Sequence, residues 1–462
     1  YAGISFACFS LNVLAVYTGS NRFPQAFPRA PTVTSPDSDP PHPLLRILPW
    51  MIWGLGTFLF SFVHFQRVAP GVMVDTLMRE FAVGGALLGN LSAVYFYSYA
   101  IFQVPAGLIV DAYGSRRIMV LSALLIAIGC FVFALAETVP GAFAGRLLIG
   151  IGGGATFVVA LNLAAVWFPP ARFALLSGLT VGAGVAGAVV GQVPLAWAVE
   201  TIGWRSAMLV TGAVALAAGI GAILALRLPR PSAQGLRPVS PGRGGLLVGF
   251  RAVLAQRDLW ILTGAGSGNM SVMLAFGGLW AVPWLVQVHG MTRGQAAVAV
   301  SLNAVGWVVG SPLLGWIGQR LGGRKIPFVC ANLVSLACFA ALILVPGHGT
   351  AALHGLLFLQ GLATGAVVLV FTTTHERFAG QESVTLGIVN TGIMFAIALF
   401  QPLVGWVLDI NWHGDMVEGA RVYDATAYQS GFSLLLIGGV VAVLSGLMLP
   451  ETAKVRASGS AD

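Results

Sequence analysis

The sequence predicts an all-α integral membrane protein, with twelve transmembrane helices arranged as two pseudo-symmetric six-helix bundles. Three observations carry this expectation. Of 462 residues, 57% are hydrophobic and only 9% are charged, against roughly 25% charged in an average soluble domain. The apolar residues fall in runs close to the ~20 residues a spanning helix needs. A turn motif also occurs twice: 107–117 reads Gly-Leu-Ile-Val-Asp-Ala-Tyr-Gly-Ser-Arg-Arg, and 208 residues later 315–325 reads Gly-Trp-Ile-Gly-Gln-Arg-Leu-Gly-Gly-Arg-Lys. Gly107 pairs with Gly315, Gly114 with Gly322, Arg116 with Arg324 and Arg117 with Lys325. Such spacing within so apolar a chain points to two related halves in one membrane unit.

In chain order the apolar runs place spans at 47–70, 86–110, 118–137, 141–165, 173–198 and 205–226. Six more follow at 259–287, 295–318, 326–346, 351–374, 384–409 and 430–450. Residues 1–45, rich in proline from Pro24 onward, are expected to be a disordered or spurious N-terminal extension. Residues 46–226 form one bundle, 227–258 an arginine-rich linker, 259–450 the second bundle and 451–462 a tail.

Lys and Arg set the orientation. Eighteen fall on the side that holds both termini, the 227–258 linker and the two repeated turns; four (Arg79, Arg205, Arg293, Arg421) fall on the other. This bias puts both termini in the cytoplasm of a plasma (bacterial inner) membrane. The same placement accounts for the net charge of +8 without a nucleic-acid partner. Cys130, Cys330 and Cys338 lie inside apolar runs without CxxC spacing and read as reduced core residues. The chain shows no phosphate loop, zinc-protease helix or nucleophile elbow, so neither an enzyme nor a cofactor or metal is expected.

The 107–117 turn resembles the loop between spans 2 and 3 of the major facilitator superfamily, Gly-x-x-x-Asp-[Arg/Lys]-x-Gly-x-[Arg/Lys]-[Arg/Lys]. Here Gly107, Asp111, Gly114, Arg116 and Arg117 match, and Ala112 stands where the family carries a base. The second copy keeps a base at that step, Arg320, but has Gln319 in place of the acid. Arg146-Leu-Leu-Ile-Gly150 in span 4 and Gly203-Trp204-Arg205 before span 6 are also similar to family patterns. Trp167-Phe168-Pro169 with Arg172 resembles the branch that carries organic anions, and the span 5 glycine ladder lacks the Gly-Pro pair of proton-linked drug antiporters. The resemblance implies that Asp111 latches the cytoplasmic side by sitting against the start of span 11, near Ser383 and Val384. Gly107, Gly114, Arg116, Arg117, Gly315, Gly322, Arg324 and Lys325 would complete the gate. It also implies that Arg146 serves proton coupling or substrate contact.

Other residues stand out on their own chemistry. Arg67 lies late in span 1; an arginine inside a membrane costs at least ~2.5 kcal/mol, so it faces a cavity, finds an anion or snorkels outward. His64 sits one turn earlier and is the proton-coupling candidate. Tyr95 and Tyr99 share a face of span 2, and Asn390 and Gln401 lie in span 11. Gly178 and Gln192 in span 5 map onto Gly387 and Gln401 at a constant offset of 209. Arg67, Arg146, Tyr95, Tyr99, Gln192, Asn390 and Gln401 are therefore expected at a midplane substrate site, with helix-to-helix hydrogen bonding as the plainer role. Trp280 and Trp284 around Pro283 are either a hinge with an aromatic wall or an interfacial belt. No Asp or Glu lies near the middle of any span.

The function expected is secondary active transport of a small solute by alternating access, with an organic anion as the solute. The alternatives are a proton-coupled exporter of amphiphilic drugs and a non-transporting receptor on the same fold. The expected partners are the lipid bilayer and the solute, with a co-transported proton or cation (symport), and the chain is expected to be a monomer.

Overall fold

A computed structural model of the chain describes residues 43–226, 253–378 and 381–451. The expectations for the N-terminal extension, most of the 227–258 linker and the tail lie outside these residues. Within them the chain is almost entirely helical, because a backbone in lipid satisfies its polar groups only within its own helix. Eleven helices are long and apolar enough to cross a membrane. The twelfth, Gly85–Tyr113, counts once its sharply bent neighbour Val74–Phe81 is joined to it. The spans run Ile47–Val72, Gly85–Tyr113, Ser115–Ala134, Val139–Trp167, Ala171–Ile202 and Trp204–Ala225. They continue with Arg257–Gln287, Arg293–Arg320, Lys325–Leu344, Thr350–Arg377, Val384–Ile410 and Ala425–Leu447. All twelve coincide with the expected runs to within a few residues.

The repeated turns work as staples inside each half. Gly114 adopts φ +83°, where its N–H closes the end of span 2 on the Val110 carbonyl at 2.8 Å. Arg116 then reaches the Ala225 carbonyl at the end of span 6 and lies 5.5 Å over the Trp167 ring at the end of span 4. In the second copy Gly322 takes φ +62°, and Arg324 binds Glu376 at the end of span 10 at 3.0 Å. Its backbone N–H meets Glu451, beyond the end of span 12, at 3.4 Å. The two arginines thus perform equivalent joins.

The halves meet closely along spans 2 and 11. Gly85 and Gly405 face each other with no room for a Cβ on Gly405, and Gly89 abuts the Gln401 carbonyl and Pro402. At the end of this seam Asp409, the last acid of span 11, caps the first turn of span 2. Its carboxylate accepts the amides of Gly85 at 2.8 Å and Ala86 at 2.9 Å. Tyr423 donates to it at 2.7 Å and Arg421 at 2.9 Å. Burial and the adjacent carboxylate hold the Tyr423 phenol above its ordinary range, so it remains a donor.

Three features were not expected. The short helix Val74–Phe81 folds across this same end, pairing Asp75 with Arg293 at 2.6 Å, Arg79 with Glu418 and Glu80 with Arg205 at 2.6 Å. A two-stranded hairpin, Met416–Val417 with Ala420–Arg421, follows span 11. Span 7 contains a π-helical stretch, Val272–Trp280. Two expectations need correction. Cys330 is exposed on the outer face of its helix rather than in the core. Trp280 and Trp284 are buried, at 0% and 4% exposure, which excludes an interfacial belt.

Asp409→Ala removes four hydrogen bonds, two of them helix caps. It should destabilise the protein by about 2–3 kcal/mol, read as a lower melting temperature. Amide exchange at Gly85 and Ala86 should accelerate relative to the rest of span 2; unchanged protection there would show that the cap carries no load.

Candidate functional site

The intramembrane cations collect in the first half, around Tyr95. Arg67, 8% exposed, donates from Nε to the Tyr95 hydroxyl at 3.3 Å and lies 4.6 Å over the Tyr99 ring. Its Nη1 is 3.4 Å from His64 Nε2. The Tyr95 hydroxyl donates on to the Val63 carbonyl at 3.3 Å, and the Tyr95 and Tyr99 rings stack with centroids 6.0 Å apart. Tyr95 and Tyr99 meet because one helical turn separates them, and Arg67 bridges both from the neighbouring span.

Arg146 stands behind Tyr95. It is 1% exposed, lies 5.0 Å over the Tyr95 ring and donates from Nη1 to the Gln66 carbonyl at 2.9 Å. Its Nε and Nη2 are buried without partners. The Gln66 amide meets the Cys130 sulfur at 3.2 Å. Arg146 is therefore a supporting cation, and Arg67 is the one in front. Among the described residues neither arginine forms an ion pair. Among the described residues the two guanidinium groups are thus held by aromatic faces, neutral oxygens and the His64 ring nitrogen, with no acid to offset their desolvation.

Just beyond this cluster the two halves seal. Four residues past Arg67, Gly71 packs on the Gly278 carbonyl of span 7 so tightly that a Cβ would not fit. Gln192, at the break in span 5, donates to the Gly277 carbonyl at 3.1 Å. Gln401, its counterpart in span 11, points to the Leu274 carbonyl at 3.4 Å, and Trp280 Nε1 donates to the Gln401 carbonyl at 3.0 Å. The two repeat-related glutamines therefore bracket the π-helical stretch, and the Oε1 of each is buried without a partner. Toward the other end, Asn390 donates to Gln103 across the halves at 2.6 Å, and Tyr97 donates to the Ala398 carbonyl at 3.1 Å.

The expected site thus divides in two. Arg67, His64, Tyr95, Tyr99 and Arg146 form one cluster, whereas Gln192, Asn390 and Gln401 are distributed along the seam. The side chains of Asp111 and Ser383 are not among those described, and the expected latch lies outside them. Gly107 and Gly315 lie within spans 2 and 8, and Arg117 and Lys325 follow their stapling arginines at the helix starts. The sequence reading missed Asp409 as more than a helix end. Its signal was present in the register Gly405-x-x-x-Asp409 opposite Gly84-Gly85. An open, mostly apolar crevice at the turn between spans 3 and 4, lined from Ile128 to Gly141 with Glu137 and Thr138 among its residues, includes neither Arg67 nor Arg146.

A polytopic helical bundle with a seam between two halves is the architecture of a solute carrier. The chain belongs to the Major Facilitator Superfamily, whose model matches residues 56–401 and 279–459. It is 25% identical over 391 residues to the gentisate transporter of Corynebacterium glutamicum, covering 81% of this chain and 85% of that one. It is also 25% identical over 423 residues to a probable sulfoacetate transporter of Cupriavidus necator, covering 86% and 94%. Among solved structures, an inward-facing bacterial homolog of the human lysosomal transporter Spinster matches with a TM-score of 0.71 at 16% identity. That match covers 87% of this chain and 97% of the other, and it shows the shared fold. The protein is a multi-pass membrane secondary transporter.

A Cβ on Gly184 of span 5 would lie 2.8 Å from Phe60 and 3.2 Å from the His64 ring. Gly184→Leu should therefore overpack this corner and cost about 1–3 kcal/mol. Thermal unfolding checks it; a melting temperature equal to that of the parent would mean that span 5 is free to retreat.

Proposed function

We propose that this transporter carries a small organic anion and that Arg67 anchors its acidic group. The observation behind this reading is the cation cluster without a carboxylate. Leaving a guanidinium in the membrane interior without a counter-charge costs at least ~2.5 kcal/mol, and a carboxylate or sulfonate seated on Arg67 would offset that cost. The planar fork suits such groups in a bidentate contact. Support comes from the two relatives, whose names give gentisate and sulfoacetate as cargo; both are small organic acids ionised at neutral pH.

In this reading residues 46–226 and 259–450 are the two units that rock about the site. The turns at 114–117 and 322–325 lie on the cytoplasmic side of a bacterial inner membrane, and the Asp409 cap closes the outer side. Arg67 then sits directly inside the outer seal, near the middle of the bundle, where alternating access requires the cargo. Arg146 contributes by fixing Tyr95, which in turn aims Arg67, while Gln192, Asn390 and Gln401 govern the closing surfaces.

The test is ligand-dependent thermal stabilisation of the purified protein with gentisate and with sulfoacetate. A ligand that binds only the folded protein adds about 2.7 kcal/mol at a hundred times its Kd, so a weak site registers. Gentisate should raise the melting temperature of the parent and of Arg67→Lys, the latter less, and leave Arg67→Gln unmoved. Tyr95→Phe should weaken binding by about tenfold, the worth of one aligned hydrogen bond. A shift that survives intact in Arg67→Gln would remove Arg67 as the anchor.

A further inference from the structure

The 208-residue offset that pairs the repeated turns runs back through the helices before them. Span 2, Gly85–Tyr113, and span 8, Arg293–Arg320, align on it without a gap, so Asn303 stands where Tyr95 does and Trp307 where Tyr99 does. The packing agrees. Gly150 of span 4 lies against the Tyr95 carbonyl and Gly361 of span 10 against the Asn303 carbonyl, neither with room for a Cβ. Tyr95 sits between spans 4 and 1, and Asn303 correspondingly sits between span 10 and the π-helical stretch of span 7. The same two registers thus carry a polar face in each half.

Asn303 is 2% exposed, and its amide is fixed. The nitrogen donates to the Leu357 carbonyl at 3.0 Å and to Gln360 Oε1, and Gln360 is held in turn by the Ser335 hydroxyl at 3.2 Å. A carbonyl can only accept, so the nitrogen faces span 10 and Oδ1 faces the other way. Among the described residues Oδ1 takes no hydrogen bond, and it lies 3.8 Å from where a Cβ on Gly277 would stand. One turn along the same face, Trp307 holds its indole Nε1 buried without a partner. An acceptor and a donor are thus left open on one helix face, and such groups are costly to bury unpaired. Across Gly277 lies the wall that holds Arg67. Gly191 packs on the Phe65 carbonyl and the Val68 side chain, which flank Arg67, and the next residue, Gln192, donates to the Gly277 carbonyl at 3.1 Å.

From this arrangement we infer that Asn303 and Trp307 bind a hydroxyl group of the cargo, at the end remote from the acid that Arg67 holds. The inference rests on the anion reading above and narrows its cargo to hydroxy acids. A hydroxyl gives one hydrogen and accepts another, which matches an amide oxygen beside an indole N–H. An ammonium has nothing with which to accept from Trp307, and a second carboxylate or sulfonate has no hydrogen to give Asn303. A bare carbon at that place would leave both polar atoms buried and unpaired, which is how a site rejects an analogue that lacks the hydroxyl. Glycine at 277 keeps the space before Oδ1 open. The acid is then held by the first half and the hydroxyl by the second, so one cargo molecule engages both.

The experiment is titration calorimetry of the intact purified protein with gentisate and with salicylate, which differ only in the ring hydroxyl remote from the carboxylate. Parent protein should bind gentisate at least about tenfold more tightly, the worth of one paired hydroxyl. Asn303→Ala should abolish that preference. Two milder variants test the same contact without breaking the amide network. Trp307→Phe keeps a ring and removes the donor, and Gly277→Ala adds a methyl that meets nothing closer than 3.8 Å yet fills the space before Oδ1. Each should weaken gentisate toward the affinity of salicylate and leave salicylate unchanged, whereas a role in packing alone would move both ligands together. Equal affinity of the parent for the two acids would overturn the hydroxyl contact and leave the anion site standing; that measurement needs no variant to fold. A preference intact in all the variants would overturn the assignment to Asn303 and Trp307. Binding of neither gentisate nor sulfoacetate by the parent would overturn the anion reading and this inference with it.

Discussion

The cap that Asp409 places on the first turn of span 2 is the interaction on which the rest of this arrangement depends. A helix begins with unsatisfied amides and a partial positive charge. Here the group that satisfies them belongs to the other half of the protein. Because Tyr423 and Arg421 complete the carboxylate's shell, the cap is specific in direction as well as in charge. It fixes the register of spans 2 and 11, and that register lets Gly85, Gly89 and Gly405 sit where no side chain would fit. At the same end Gly71 meets span 7, closing the bundle just past Arg67.

Behind that closure lies an electrostatic imbalance. Proteins seldom bury two guanidinium groups within reach of one tyrosine without an acid nearby. Tyr95 hydrogen-bonds one arginine at its hydroxyl and offers its face to the other, which spreads the charge but does not cancel it. The neutral Nε2 of His64 contributes one more acceptor to Arg67. Each of these contacts is individually modest, and together they hold the cation in a defined place with unsatisfied capacity for an anion.

Much of the fold was legible in the sequence. Apolar runs gave all twelve helices because length and hydropathy alone decide what crosses a bilayer. The two halves showed through Gly114, Gly322, Arg116 and Arg324, whose roles depend on local turn geometry. The cluster was partly legible: Tyr95 and Tyr99, and His64 and Arg67, each pair at helical spacing, whereas the meeting of the two pairs depends on how spans 1 and 2 pack. Arg146 was read as lining the path, but its depth behind Tyr95 depends on how span 4 packs, which no local pattern encodes. Gln192, Asn390 and Gln401 likewise belong to the seam, whose course is set by the contact of two distant halves. Asp409 and the helix Val74–Phe81 were passed over for a related reason. Short polar segments between spans carry no periodic signal, and their partners across the bundle lie more than a hundred residues away.

The paired staples explain how the two copies of the turn drifted apart. Each copy retains the residues that bear structural strain: a glycine in the left-handed region and the arginine that gathers the ends of the fourth and sixth helices of its half. The copies differ at Asp111 against Gln319 and at Ala112 against Arg320. Symmetry is kept in the residues that fasten each half, where the molecule must be stiff.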